Sequence, residues 1–286
     1  MLIDGKKISL EIQSEIKEAV SGLSNSPCLA VVVVGEHPAS AIYVKRKMEA
    51  CQKVGIRSLR ITLPPTISKE ELLKEINQLN HAKDVDGILV QLPLPSNMNP
   101  LEINEHISPY KDVDGFHPLN MGKLLMGEKG GFIPCTPLGI QTLLLRSGLE
   151  VAGKHAVIIG RSLIVGKPIA ALLVQSGDGG NATVSVLHSQ SKNISALCQI
   201  ADILIVAIGK PKFLTKEMVK KEAIVIDVGI NRILEDGKYK IVGDADFDSL
   251  INHCQAITPV PGGVGPMTIA MLLSNTLKSY RQSHET

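Results

Sequence analysis

The sequence contains no tryptophan, and aromatic residues make up only 3% of it. Recognition of nucleic acid by stacking bases on rings needs such side chains, so the composition argues against it. An excess of either charge is also missing. Thirty basic residues stand against 28 acidic ones, and the net charge of +2 is interspersed rather than gathered into a stripe for a phosphate backbone. The five cysteines (Cys28, Cys51, Cys135, Cys198, Cys254) include no CxxC pair. That spacing supports neither a disulfide framework nor a cysteine zinc site, and it fits small buried hydrophobes in a reducing cytoplasm. The longest apolar run, Cys28 to Val34, is too short to span a bilayer, so no membrane association is expected. The opening MLIDGKKISLEIQSE turns acidic and amphipathic at once and reads as neither a signal nor a transit peptide. HExxH and other metal-ligand spacings are lacking, so no catalytic metal is expected.

What is present suits an α/β protein of two domains. The 286 residues are 44% hydrophobic, enough for two cores. Strand-like runs alternate with helical patterns: Leu29–Val34, Arg57–Leu63 and Gly87–Leu92 in the first half, then His155–Gly160, Ala182–Leu187, Asp202–Ile208, Ala223–Val228 and Gln255–Pro259. Continuous β-branched runs such as CLAVVVV suit parallel strands covered on both faces. The Gly- and Pro-rich stretch GEKGGFIPCTP separates the halves. The expected domains are residues 1–136 and 137–267, with a closing helix in 268–286 packing back on the first.

The stretch AVIIGRSLIVGKPIAALL places a tight turn between a buried strand and an apolar helix. Gly160 and Gly166 bound that turn, a geometry that lets backbone N–H groups and a helix N-terminus approach a pyrophosphate. Ser162 stands where the usual second glycine would be. A P-loop is disfavoured, since five residues separate the glycines and Pro168 follows Lys167. The next strand ends TVSVLHSQ with no acid to hold a ribose 2′-hydroxyl, and Arg161 is available for a 2′-phosphate. Both features favour NADP over NAD.

In the first half, the helical pattern AIYVKRKMEACQKVG gathers Tyr43, Val44, Met48, Ala50, Cys51 and Val54 on one arc, and Lys47 falls inside it. Two readings stay open. The lysine snorkels to solvent, or it is held in a cleft where desolvation lowers its pKa from about 10.4 toward about 7–8, useful for proton transfer. VQLPLP ends a buried strand with the amide of Gln91. KDVDG puts Asp112 and Asp114 around a turn, one to close it and the other free to face a ligand.

Taken together, PGGVGPMT, VQLPLP, KDVDG, GRSxxVG and Tyr43-x-x-x-Lys47 make the chain resemble, over essentially its whole length, the bifunctional methylenetetrahydrofolate dehydrogenase/cyclohydrolases. The resemblance implies a parallel-sheet substrate domain and a Rossmann-like NADP domain with a cleft between them. It implies oxidation of 5,10-methylenetetrahydrofolate followed by hydrolysis to 10-formyltetrahydrofolate. Lys47 would be the acid/base of the hydrolysis, Gln91 would tune its charge, Tyr43 would stack on the aminobenzoyl ring, and Asp114 would grip the pterin. Leu92, Pro261, Gly262 and Gly263 would line the folate site. Gly160, Arg161, Ser162, Gly166, Ser189 and Ile230 would serve the cofactor, and the chain would form a homodimer through its cofactor domain. Departures are small: a longer, Gly-rich VQSGDGGNATV, Ser191 where threonine is common, and Ala245 where valine is common. Rival readings are a shikimate- or malate-type dehydrogenase, which leaves PGGVGPMT unexplained, and a non-catalytic dinucleotide sensor, which would be expected to lose Lys47 and Gln91 first. A third is an enzyme with only one of the two activities, which sequence separates poorly.

Overall fold

A computed structural model describes residues 1–35, 38–235 and 237–284. In chain order the elements are α1 (Gly5–Ser21), β1 (Cys28–Val34), α2 (Pro38–Val54), β2 (Arg57–Leu63), α3 (Lys69–His81), β3 (Gly87–Val90), α4 (Pro100–Glu105), α5 (Pro118–Met126) and α6 (Cys135–Arg146). There follow β4 (His155–Ile159), α7 (Gly166–Val174), β5 (Thr183–Leu187), α8 (Ile194–Gln199), β6 (Ile203–Val206), β7 (Ile224–Asp227), β8 (Asn231–Glu235), β9 (Lys238–Val242), α9 (Phe247–Leu250), β10 (Ala256–Ile257) and α10 (Val264–His284). Two compact units result. One joins Leu10–Cys135 with Ile269–Thr286, and the other joins Met1–Ser9 with Thr136–Thr268.

The first unit is built on a parallel sheet in the order β2-β1-β3. β1 is central, and all seven of its residues are buried, which is why it reads as an unbroken apolar run. β2, at the edge, has no fully buried residue. Helix α3 is fixed at its start by a capping box between Ser68 and Glu71, and it turns Leu72, Ile76 and Leu79 onto the sheet. Each such side chain, fully buried, contributes about 1.5–3 kcal/mol of transfer free energy. The end of α10 belongs to this unit. Ser279 Oγ donates to the carbonyls of Asp86 (2.6 Å) and Tyr110 (2.8 Å), and Lys278 Nζ donates to that of Gly131 (2.6 Å).

The second unit carries a five-stranded parallel sheet, β10-β7-β6-β4-β5. Chain order runs outward in both directions from the β4/β6 pair, so the switch point lies at the carboxyl ends of those two strands, where open α/β sheets bind ligands. The antiparallel β8–β9 hairpin, absent from the sequence reading, is separate from this sheet.

Two expectations are corrected. Met1–Ser9 group with the five-stranded unit, because Ile3 N donates to Ile257 O (2.9 Å), Ile257 N donates to Met1 O (3.0 Å), and the segment extends the sheet edge. The closing helix begins at Val264 rather than Thr268, with Pro266 in its first turn, where a missing N–H costs no helical hydrogen bond.

Candidate functional site

In the three-stranded unit, α2 buries Val44, Ala50, Cys51 and Val54. Lys47 is half-buried, and its Nζ donates to Gln91 Oε1 at 3.0 Å. Gln91 is the first residue past β3; its backbone N–H still bonds to Val32 O (2.8 Å) and its Nε2 donates to Leu92 O (2.8 Å). That second bond orients the amide, so the acceptor oxygen rather than the NH₂ faces the lysine. Tyr43 departs from the expected apolar arc. It is 39% exposed, one turn before Lys47, with its ring available at the surface.

The two aspartates of KDVDG divide the roles that the sequence left open. Asp112 is buried and closes the turn. Its carboxylate accepts from the amides of Gly115 (3.1 Å), Phe116 (3.2 Å) and His117 (2.8 Å) and from Asn120 Nδ2 (2.9 Å). Burial raises its pKa to about 6 against the pull of those donors. The turn needs glycine at 115: φ is +82°, and a Cβ there would lie 2.6 Å from the Ile133 carbonyl carbon. Asp114 is released from turn duty. Burial pushes its carboxyl above the ordinary carboxylate range, while the Lys47 charge and the Cys135 thiol pull it back. Lys47 and Gln91 are thus in direct contact, and Asp114 lies within electrostatic reach of Lys47.

In the five-stranded unit, Gly160 follows β4 with φ +122°, and a Cβ there would lie 2.4 Å from Ala207 O. Gly166 opens α7, where a Cβ would lie 2.1 Å from Gly160 O. The bare backbone is therefore a requirement of the turn. Ser162 Oγ accepts from Val165 N (3.2 Å) and Gly166 N (3.4 Å), bracing the turn from within, and the Arg161 side chain is exposed. Past β5, His188 N donates to Ser191 Oγ (2.9 Å) and Gln190 N to His188 Nδ1 (3.2 Å), a turn without any acid that leaves Ser189 exposed. Ile230, past β7, is 52% exposed. In the loop before α10, Gly262 has φ +112°, Lys6 N donates to Gly262 O (2.8 Å), and Gly263 N donates to Pro259 O (2.8 Å); Pro261 is exposed after a cis peptide bond.

Sequence reasoning missed the residues that hold these loops. Asn275, on α10 and 3% exposed, donates through Nδ2 to Val113 O (2.8 Å) and Ile133 O (3.1 Å), fixing the backbone beside Asp114. A polar residue within the apolar pattern of α10 was its only signal. Asp227 and Asp244 are buried beneath the loops after β6 and β7. The signal available for Asp227 was an acid ending an apolar strand, whereas Asp244 carried no local signal. Among the described residues no three His, Cys, Asp or Glu side chains are grouped to hold a metal ion, and no helix is long and apolar enough to cross a membrane.

The sequence and the fold are matched by known proteins. The profile of the tetrahydrofolate dehydrogenase/cyclohydrolase catalytic domain matches residues 3–114, and that of the family's NAD(P)-binding domain matches residues 134–284. The bifunctional protein FolD of Protochlamydia amoebophila is 61% identical over 99% of this chain and 98% of its own length. The crystal structure of the bifunctional FolD enzyme of Campylobacter jejuni matches with a TM-score of 0.94 at 50% identity, covering 99% of each chain. That of the Trypanosoma brucei methylenetetrahydrofolate dehydrogenase-cyclohydrolase, complexed with NADP cofactor and inhibitor, matches with a TM-score of 0.93 at 36% identity, covering 100% of this chain and 99% of the other. A chain matched in both its domains, and over its full length by such relatives, belongs to the tetrahydrofolate dehydrogenase/cyclohydrolase family.

Proposed function

We propose that Lys47, Gln91 and Asp114 form the hydrolytic centre of this enzyme, and that the turn from Gly160 to Gly166 receives NADP. As a tetrahydrofolate dehydrogenase/cyclohydrolase, the chain oxidises 5,10-methylenetetrahydrofolate to the 5,10-methenyl form and hydrolyses that to 10-formyltetrahydrofolate. The observation that carries the residue assignment is the 3.0 Å contact of Lys47 Nζ with Gln91 Oε1, in the electrostatic reach of Asp114.

Bound NADP supplies the hydride acceptor. The reacting carbon is flanked by two nitrogens whose lone pairs stabilise the resulting cation, so the protein's task in this step is to place the reactants. Gly160 and Gly166 keep the turn free of side chains, which fits a pyrophosphate at the start of α7. The acid-free end of β5, with exposed Ser189 and Arg161, supports NADP over NAD. Ile230 serves the nicotinamide end.

Asp114 accepts hydrogen bonds from the amino edge of the pterin, and Tyr43 offers its ring to the aminobenzoyl group. Leu92, next to Gln91, adds to the folate contacts. In the hydrolysis, water adds to the amidinium carbon and Lys47 takes its proton. One C–N bond then opens, its electron pair going to nitrogen, which takes the proton held by Lys47, while the hydroxyl on the carbon releases its own proton to solvent and becomes the formyl C=O. Gln91, oriented by the Leu92 carbonyl, holds the amine in place between these events.

The chain works as a homodimer through its cofactor unit, a reading supported by the open edge of β5 and its exposed Val186. Sedimentation at the mass of a monomer would overturn it. A cytoplasmic location is supported by five cysteines that are all free and buried.

The test is an absorbance assay with methylenetetrahydrofolate, run separately with NADP and NAD. The reading expects reduced cofactor with NADP. Turnover with NAD alone would overturn the cofactor assignment.

A further inference from the structure

Beneath the loops of the five-stranded unit the chain buries an aspartate, Asp244, where an apolar side chain would serve stability at lower cost. Asp244 is wholly buried, and an ionised carboxylate in that position is unfavourable unless each oxygen is hydrogen-bonded. Its Oδ2 accepts from the amides of Ile208 (2.7 Å) and Gly209 (2.9 Å), just past β6. Its Oδ1 accepts from Asn231 Nδ2 (2.8 Å), just past β7. One carboxylate therefore ties together two loops that leave neighbouring strands.

The surrounding chain is shaped to admit it. A Cβ on Gly229 would lie 2.3 Å from Asp244 Cγ, so this close approach needs glycine. Asp227 anchors the assembly from below: its Oδ1 accepts from Gly229 N (2.9 Å) and Asp244 N (2.9 Å), and its Oδ2 from Ala245 N (2.8 Å). Position gives the network its meaning. Ala207, which Gly160 approaches so closely, immediately precedes Ile208, and Ile230 stands between Gly229 and Asn231. The tied loops thus flank the switch point of the sheet on the side of β6 and β7.

We propose that Asp244 is a positioning residue for the dehydrogenase reaction, holding the Ile208–Gly209 and Ile230–Asn231 segments at the separation that receives the nicotinamide dinucleotide. This rests on the assignment of NADP to the five-stranded unit. Asp244 touches neither reactant; it acts through backbone amides and Asn231. Its loss therefore moves cofactor binding and dehydrogenation, whereas a general weakening of the fold would lower both activities together.

Two variants separate these cases. Asn231→Ala removes one arm and leaves both amide bonds to Asp244 in place. Asp244→Asn keeps the shape but turns one acceptor oxygen into a donor that faces other donors. The measurements are KM for NADP, dehydrogenase kcat, cofactor-free hydrolysis of methenyltetrahydrofolate, and urea unfolding. The expected result is an NADP KM raised about tenfold in Asn231→Ala, as for a lost hydrogen bond to a charged group, with a larger loss of dehydrogenase kcat/KM in Asp244→Asn. The ratio of dehydrogenase to hydrolase activity falls in both. If Asp244→Asn does not fold, Asn231→Ala decides. Folded variants with NADP KM and dehydrogenase kcat within twofold of wild type overturn the proposal, as does a parallel fall of both activities. A wild-type protein that turns over with neither NADP nor NAD overturns the cofactor assignment itself and this proposal with it.

Discussion

Replacing Asn275 tests how the folate-side loop is held. Its Nδ2 supplies hydrogen bonds to Val113 O and Ile133 O at 2.8 and 3.1 Å, from a side chain only 3% exposed. In Asn275→Ala both carbonyls lose that donor where water does not readily replace it. A buried group left unsatisfied costs about 1–3 kcal/mol. Val113 O keeps a weak partner in the Cys135 thiol at 3.4 Å, which lowers its share. The sum is about 2–4 kcal/mol, a large part of the roughly 5–15 kcal/mol that typically separates folded from unfolded chains. Asn275→Asp is the sharper variant, since it conserves volume but sets a carboxylate against two carbonyl oxygens. Urea unfolding should rank the stabilities as wild type, then Ala, then Asp, with KM for the folate raised because Asp114 adjoins Val113. An aspartate variant as stable as wild type would refute the donor argument.

Three further outcomes follow from the site. Gln91→Glu puts a carboxylate against Lys47, which favours the ammonium; the alkaline shift expected in the hydrolysis pH profile is about one unit or more, and an unmoved profile would remove Gln91 from its role. Gly160→Ala forces a Cβ to within 2.4 Å of Ala207 O at a φ of +122°, so KM for NADP should rise at least tenfold by titration; unchanged cofactor affinity would contradict the turn assignment. Burial raises the pKa of Asp227 to about 6. With an unfolded value of about 3.9, the folded protein holds the extra proton between these values. The contribution is complete below about pH 4 and is lost as pH rises through about 6, roughly 3 kcal/mol in all. The difference in stability between wild type and Asp227→Asn should change over that window, and a constant difference would refute the shift.

Much of the fold was legible because its strands sit at extremes of burial. Central β1 reads CLAVVVV since both faces are covered, and α3 announces itself through Ser68, Glu71 and the spacing of Leu72, Ile76 and Leu79. The β8–β9 hairpin was overlooked although the sequence carries an Asp-Gly pair at 236–237, because its strands are short and interspersed with charge, and Leu234, Tyr239 and Ile241 on one face are exposed rather than in a core. Helical projection located Lys47 but misjudged Tyr43: an angle around an axis does not say how far the neighbouring layer extends. The choice between Asp112 and Asp114 needed coordinates, since only the folded turn shows which carboxylate its amides surround. Asp244 and Asn275 act on residues distant in sequence, and no local pattern encodes that.

The central claim is that Lys47 moves the proton in the hydrolysis. Its most direct test follows the decay of methenyltetrahydrofolate with wild type and Lys47→Met, after circular dichroism has shown both to be folded. The account predicts a loss of about 10²–10⁴-fold in the variant, the usual range for removing a general acid/base. A variant that hydrolyses at the wild-type rate would contradict it.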